Sequence, residues 1–261
     1  MAEANPEPLL RIEGVAKTFG GITASDDIAL ALAPGELHAI IGPNGAGKTT
    51  LVGELTGEIA PDAGRVFFDG QDITALRPDQ RAALGLARSF QITSLFLDVT
   101  ALDNVALAVQ AQAGHSFRFW RDARRDPALR DPARAALAHV GLEARSDVVA
   151  SELSHGEHRL LELAMALASK PRLLLLDEPM AGLGPEESAR VVTMLRGLKG
   201  SLGILLIEHD MAAVFALADR ITVLSYGRVI ASDVPDAIRA DAEVRKAYLG
   251  SAATGEGHGD G

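Results

Sequence analysis

Residues 42–49 form a glycine-rich loop that ends in a lysine and a threonine. They satisfy the pattern G-x-x-x-x-G-K-[ST] and read Gly42-Pro43-Asn44-Gly45-Ala46-Gly47-Lys48-Thr49. Glycines let backbone N–H groups wrap around phosphates, and the N-terminus of a following helix adds free donors. Lys48 can reach the β- and γ-phosphates, and the Thr49 hydroxyl can ligate Mg²⁺. The loop predicts nucleoside triphosphate binding, although a glycine-rich turn could match the pattern by chance.

Two carboxylates follow a strongly apolar segment, residues 173–176. Asp177 and Glu178 stand between this segment and Pro179. Because strand ends in open α/β sheets face the ligand crevice, Asp177 can bind Mg²⁺, directly or through water. Glu178 can then polarise the water that attacks the γ-phosphate. The alternative is a pair of surface acids at the end of a strand, but the phosphate loop in the same chain favours hydrolysis.

A serine precedes a helix predicted over residues 156–168. Ser154 and the backbone at Gly156 would lie at the N-terminus of this helix, where free N–H groups favour an anion. The alternative is that Ser154 only caps the helix, and the two roles are compatible.

Short apolar strands alternate with helices along the chain, which predicts a parallel sheet covered on both faces. The predicted strands are 10–15, 28–32, 36–41, 65–68, 86–90, 173–177 and 204–207, followed by a hairpin at 221–231. The predicted helices are 49–55, 78–84, 156–168 and 186–198, with a mostly helical block at 100–141. The block interrupts the alternation and therefore predicts an inserted subdomain.

The composition fits one large α/β domain. The chain has 261 residues, 48% of them hydrophobic, no cysteine and a formal net charge of −10. The missing cysteines exclude disulfides and thiolate chemistry. The acidic balance disfavours nucleic-acid binding, which usually leaves a basic footprint. No apolar run approaches the ~20 residues of a membrane span, and the N-terminus shows no secretory signal.

Taken in order, these motifs resemble the ABC ATPase family over residues 9–250. The usual L-S-G-G-Q signature of the family has His155 in place of its first glycine and Glu157 in place of its glutamine. The resemblance implies an α/β fold, namely a P-loop NTPase ABC ATPase domain. It further implies an antiparallel β subdomain and an α-helical subdomain inserted at about residues 95–165. Residues 1–8 and 251–261 are expected to be flexible tails.

The resemblance also implies roles for single residues. Phe19 would stack on adenine, Gln91 would link Mg²⁺ to a transmembrane partner, and His209 would contact the γ-phosphate. The segment 181–184 matches a loop that touches the partner's phosphate site, and Gly184 replaces its usual Asp or Asn. The expected catalytic residues are Lys48, Gln91, Glu178 and His209, and the expected metal ligands are Thr49, Gln91 and Asp177. The expected ATP-binding residues are Phe19, Gly42, Pro43, Asn44, Gly45, Ala46, Gly47, Lys48, Thr49, Thr50, Ser154, Gly156 and Glu157.

Within the family, the chain is similar to the larger ATPase of branched-chain amino acid importers. The similar segments are 17–21, 87–91, the insertion at 110–135, 207–211 and 247–250. Urea or amide importers and a lipopolysaccharide exporter use similar ATPases. The expected partners are transmembrane permease subunits, a second homologous ATPase subunit (in a heterodimer or a homodimer) and, indirectly, a periplasmic solute-binding protein. The chain would work peripherally at the cytoplasmic face of the cell membrane and bind no nucleic acid.

Two interpretations of a different class stay open. Soluble ABC proteins that act on DNA or ribosomes usually carry two cassettes, a long coiled coil or basic arms, and this sequence shows one cassette and no sustained heptads. A P-loop kinase would leave Ser154, Gly156 and His209 without a role.

Overall fold

The computed structural model describes residues 7–88, 95–112 and 126–252, with side chains up to residue 247. Its strands are β1 (Leu10–Phe19), β2 (Ile22–Leu32), β3 (Leu37–Ile41), β4 (Ala63–Phe68), β5 (Gln71–Asp72), β6 (Leu86–Arg88), β7 (Leu173–Asp177), β8 (Gly203–Ile207), β9 (Arg220–Ser225) and β10 (Arg228–Asp233). Its helices are α1 (Lys48–Thr56), α2 (Pro78–Ala83), α3 (Ala101–Gln112), α4 (Pro127–His139), α5 (His155–Ala168), α6 (Pro185–Leu198), α7 (Met211–Leu217), α8 (Pro235–Ala240) and α9 (Ala242–Ala252).

The central sheet has the strand order β10-β9-β3-β8-β7-β6. All neighbours in it are parallel except β9 and β10, which form an antiparallel hairpin at one edge. Every residue of β3, β7 and β8 is buried, as expected for strands covered on both faces. Side chains alternate between two cores, so that Leu174 and Leu176 pack on one face and Leu173 and Leu175 on the other. The predicted parallel sheet is present.

A second, antiparallel sheet has the order β2-β1-β4-β5. Its first two strands are longer than the predicted 10–15 and 28–32, because they continue to the turn at Gly20 and Gly21. Both glycines have positive φ, +52° and +96°, which a tight turn between paired strands requires.

A helical block lies between β6 and β7 and contains α3, α4 and α5, which pack against one another in one apolar core. α4 begins at Pro127, inside the block at 100–141 that the sequence predicts to be mostly helical. The Asp126 side chain accepts from Ala128 N and caps the helix, and a proline is well tolerated at the first helical position. Pro132 therefore lies inside the helix.

The sequence did not predict α7, α8 and α9, which are short or lie at the end of the chain. Asp210 caps α7 through the N–H groups of Ala212 and Ala213. Within the described residues no helix is both long and apolar enough to cross a bilayer.

Candidate nucleotide site

The phosphate loop connects β3 to α1, as its pattern predicts. A Cβ at Gly42 would lie 2.3 Å from the carbonyl oxygen of Leu224, and one at Gly47 would lie 2.1 Å from that of Ala24. Gly47 also has a φ of +100°. The loop is thus packed between β2 and β9, and only glycine fits at these two places.

Lys48, the first residue of α1, folds back over the loop. Its Nζ donates to the carbonyl oxygens of Gly42 at 2.6 Å and Pro43 at 3.0 Å. Burial lowers the pKa of Lys48, while the charges of Glu178 and Asp177 act to raise it. The ammonium group therefore lies across the loop, close to the two carboxylates at the carboxyl end of β7. Thr49 is exposed and Thr50 half-buried in the first turn of α1.

Asp177 and Glu178 stand at the carboxyl end of β7. Asp177 is buried, and Arg88 Nη2 donates to its Oδ2 at 3.4 Å. Burial raises the pKa of Asp177, and the Arg88 guanidinium acts against this shift. Glu178 has a φ of +49°, which is uncommon for a residue with a Cβ and turns the chain away from the strand. Its N–H donates to the carbonyl oxygen of Ile207 at 2.8 Å and joins the ends of β7 and β8.

His209 lies beside Glu178, as the expected roles of these two residues require. The Nδ1 atom of His209 is 3.7 Å from Glu178 Oε1 and 3.6 Å from Glu208 Oε2. The two side chains stay accessible, with exposed fractions of 66% for His209 and 37% for Glu178. The parallel pairing of Asp177 with Ile207 explains this proximity, since it aligns the residues that follow the two strands.

Glu208 is a site residue that the motif analysis did not single out. Its buried carboxylate accepts from the N–H groups of Met180 at 3.2 Å, His209 at 2.7 Å and Asp210 at 3.1 Å. One side chain thereby fixes the loops after β7 and β8. The available signal was a carboxylate directly after the apolar run of β8, the same pattern that marks Asp177.

Ser154 caps α5 in a reciprocal arrangement with Glu157. Glu157 N donates to Ser154 Oγ at 3.2 Å, and Ser154 N donates to Glu157 Oε2 at 2.8 Å. The second oxygen of Glu157 accepts from Arg145 Nε at 2.9 Å. Ser154 therefore caps α5, and the carboxylate of Glu157 is already hydrogen-bonded at the N-terminus of the same helix. Ser154 stays exposed, which leaves it accessible to a ligand.

Phe19 stands at the end of β1, and 47% of the residue is exposed. Lys17 Nζ lies 5.5 Å from the centre of its ring and is fixed by Asp62 at 2.7 Å. Ile22, its partner across the turn, is 74% exposed. A flat apolar surface of this kind suits stacking on a base. Gln91 lies outside the described residues, as do residues 113–125, half of the insertion at 110–135.

The donor set fits a magnesium ion. Mg²⁺ prefers oxygen ligands and usually combines one or two protein groups with phosphate and water. Asp177 supplies a carboxylate, and Thr49 supplies an exposed hydroxyl in the turn that follows the loop.

Two family models match the chain. Residues 25–181 match the family described as ABC transporter, and residues 228–254 match the branched-chain amino acid ATP-binding cassette transporter family. The chain is 36% identical over 255 residues to the high-affinity branched-chain amino acid transport ATP-binding protein LivG of Escherichia coli strain K12, covering 94% of this chain and 99% of that protein. It is 36% identical over 254 residues to the corresponding protein BraF of Pseudomonas aeruginosa, with the same coverage.

The solved structures agree as well. The crystal structure of the ADP conformation of an ATP-binding cassette of an ABC transporter superposes with a TM-score of 0.82 at 29% identity, over 94% of this chain and 99% of that one. The predicted family and fold class are confirmed, and nucleotide binding follows from membership. The chain belongs to the ATP-binding cassette family of ABC transporters.

Proposed function

We propose that the chain hydrolyses ATP to power an importer of branched-chain or related amino acids. The observation that carries the hydrolytic part is the convergence of Lys48, Asp177, Glu178 and His209 at the carboxyl ends of β3, β7 and β8. The solute class rests on the names of relatives that match 94% of the chain and on the match of residues 228–254.

Each residue has a chemical task in this proposal. The backbone donors of residues 42–50 and the charge of Lys48 bind the phosphates of ATP. Thr49, Asp177 and Gln91 hold Mg²⁺, which would neutralise charge on the transferring phosphoryl group. Glu178 polarises the attacking water, and His209, kept near it by Glu208, contacts the γ-phosphate. Phe19 stacks on the adenine.

We further propose that the active species is a pair of cassettes, in which Ser154 and Gly156 of one subunit bind the γ-phosphate of ATP held by the other. The exposed N-terminus of α5 supports this role. Residues 9–250 form the cassette, and about 95–165 its helical subdomain. Most of the two expected tails, residues 1–6 and 253–261, lies outside the described residues.

A groove between the helical block and the rest of the cassette offers a place for the permease. It has a volume of about 610 Å³ and is lined by mostly apolar residues, among them Leu86, Leu95, Ala111 and Met165. Arg88 and Glu162 add charge. A membrane-embedded partner that presents an apolar segment here would place the chain peripherally at the cytoplasmic face, and a periplasmic solute-binding protein would act only through that permease.

The variant Glu178→Gln tests the hydrolytic assignment. It keeps Asp177 and should therefore bind ATP with Mg²⁺, while phosphate release falls by about a hundredfold or more. ATP should remain trapped, so sedimentation should show more of the paired species. Glu186→Gln, a change at an exposed position in the first turn of α6, is the matched control and should leave both measurements unchanged. Normal turnover by Glu178→Gln would contradict the proposal.

A second experiment tests the solute. The chain is assembled with its permease in proteoliposomes loaded with ATP. Uptake of leucine and of urea is then compared. Leucine uptake that requires this subunit supports the assignment, and uptake of urea alone would overturn it.

A further inference from the structure

Arg88 spans the distance between the candidate metal site and the groove. It is the last residue of β6, and 12% of its side chain is exposed. Nη2 donates to Asp177 Oδ2 at 3.4 Å, while Nη1 donates to Glu58 Oε2 at 2.6 Å. Both Arg88 and Glu58 line the groove, whereas Asp177, the last residue of β7, is not among the residues that line it. The guanidinium of Arg88 therefore contacts both the candidate metal ligand Asp177 and the groove residue Glu58.

The two contacts of Arg88 differ in strength. The bond to Glu58 is short, and the contact to Asp177 is near the limit of a hydrogen bond. Asp177 is nevertheless a buried carboxylate, its side chain 4% exposed, and such a charge requires a counter-charge. Arg88 is the cation in contact with this carboxylate, and the ammonium group of Lys48 adds a second positive charge at longer range. A divalent cation at Asp177 would replace this counter-charge and repel the guanidinium a few ångströms away.

The Nε–H group of Arg88 is also buried and has no acceptor among the described residues. Arg88 is thus held through Nη1 and Nη2. A loss of either contact leaves the guanidinium free to shift toward the other carboxylate. Glu58 lies on the groove side and has an exposed side-chain fraction of 47%, so it can follow such a shift.

We propose that Arg88 is a positioning residue that couples metal occupancy at Asp177 to the shape and charge of the groove. With the site empty of metal, Arg88 bridges Asp177 and Glu58. With a metal bound, Asp177 would have another counter-charge, and the guanidinium of Arg88 would move toward Glu58 and the groove. The inference rests on the proposed function, since it takes Asp177 as a metal ligand and the groove as the docking place of the permease.

The test measures how strongly Mg²⁺ increases the affinity of the chain for nucleotide. The dissociation constant of a non-hydrolysable ATP analogue is measured in EDTA and in Mg²⁺ at pH 8, well above the ordinary pKa of a carboxyl group. The metal effect is the dissociation constant in EDTA divided by the dissociation constant in Mg²⁺. Arg88→Gln should raise this ratio about threefold or more, because the metal no longer competes with a cation. Arg88→Lys keeps the charge and should stay near the wild-type ratio.

Glu58→Gln should change the ratio in the opposite direction, so it tests the inference even if the Arg88 variants misfold. Without Glu58, Arg88 pairs with Asp177 alone, so the ratio should fall below that of the wild type. Arg172→Gln is the matched control, because Arg172 pairs with Asp69 at an exposed position. It should leave the ratio unchanged.

A second readout follows the groove itself. The chain has no cysteine, so Ala111→Cys places a single thiol on the groove wall for an environment-sensitive fluorophore. Its emission should respond to Mg²⁺ with the analogue, and Arg88→Gln should abolish the response. A lowered or unchanged metal ratio in Arg88→Gln, or a groove response that persists in it, would overturn the inference. A wild-type protein without any metal effect would instead contradict the proposed function.

Discussion

The carboxylate of Glu187 lies directly against Gly156. A Cβ added to Gly156 would stand 2.1 Å from Glu187 Oε1, which is closer than any real contact. The other oxygen, Oε2, accepts from Gly184 N at 3.1 Å. One side chain in the first turn of α6 therefore connects the signature helix α5 with the loop at 181–184. A side chain at residue 156 would therefore require the Glu187 carboxylate to move.

The first prediction concerns this contact and is a stability measurement. Gly156→Ala should lower the free energy of unfolding by about 1–3 kcal/mol, because the new methyl group overlaps the carboxylate. In a Glu187→Ser background the same change should be neutral or stabilising, since alanine is the better helix former by about 0.5–1 kcal/mol. Urea denaturation of the four proteins measures the coupling. Additive effects would show that the contact is not maintained in solution.

The second prediction concerns Lys48. Lys48→Ala should lower ATP turnover by about a hundredfold or more, because an alanine leaves the phosphate charge without its preorganised cation. Nucleotide affinity should fall as well. Phosphate release and nucleotide titration measure the two effects, and Lys170→Gln, at an exposed lysine, is the control. Near-normal turnover of Lys48→Ala would contradict the assignment of the phosphate loop to the nucleotide site.

Local patterns in the sequence were sufficient to predict where the phosphate loop and the two carboxylates lie in the fold. The phosphate loop and the pair Asp177 and Glu178 each follow an apolar strand, and strand ends meet at one edge of a parallel sheet. His209 was found only through the family resemblance, because a lone histidine after a strand has no pattern of its own.

Contacts between distant segments could not be predicted in this way. Glu208 binds N–H groups of two loops that meet only because β7 and β8 pair, and Glu187 meets Gly156 only because α5 and α6 pack near their N-termini. The bridge from Arg88 to Asp177 joins residues 89 positions apart.

The third prediction is that Glu54 makes the stability of the fold depend on pH. This residue of α1 is fully buried, accepts from Ser25 Oγ at 2.7 Å, and has a second oxygen without a partner among the described residues. Burial raises its pKa above 4.5. The protonated form therefore contributes stability that is complete below the unfolded-state pKa and is lost as the pH rises through the folded-state pKa.

Glu54→Gln removes this titration. The variant should be more stable than the wild type at pH 7.5, and the difference should shrink or reverse at pH 4.5. Urea denaturation at both pH values measures it, and Glu58→Gln, at an exposed carboxylate near the end of the same helix, should show no comparable gain at pH 7.5. A Glu54→Gln variant that is equally destabilised at both values would show that the carboxylate is charged and fully compensated in the fold.

The last prediction concerns Ser154, which should act on ATP bound to the phosphate loop of the other subunit. A mixed dimer carries Ser154→Arg in this subunit only, and nucleotide trapping is followed at each site separately. Arginine is bulky and removes the hydroxyl that caps α5. It should therefore block closure over the partner's ATP more than over the ATP of this subunit. Ser201→Arg, at another exposed serine, should affect neither site.

The pattern of loss decides the architecture. Selective loss at the partner's site supports action in trans, because the exposed N-terminus of α5 then supplies donors to a phosphate that this chain does not hold. Selective loss at this subunit's own loop would show action in cis and would contradict the proposed pair. Equal loss at both sites would indicate that closure is cooperative, and a milder Ser154→Ala change, which removes only the hydroxyl, then separates the two. With that variant the slower trapping should again be at the partner's loop, since the missing hydroxyl faces only that phosphate.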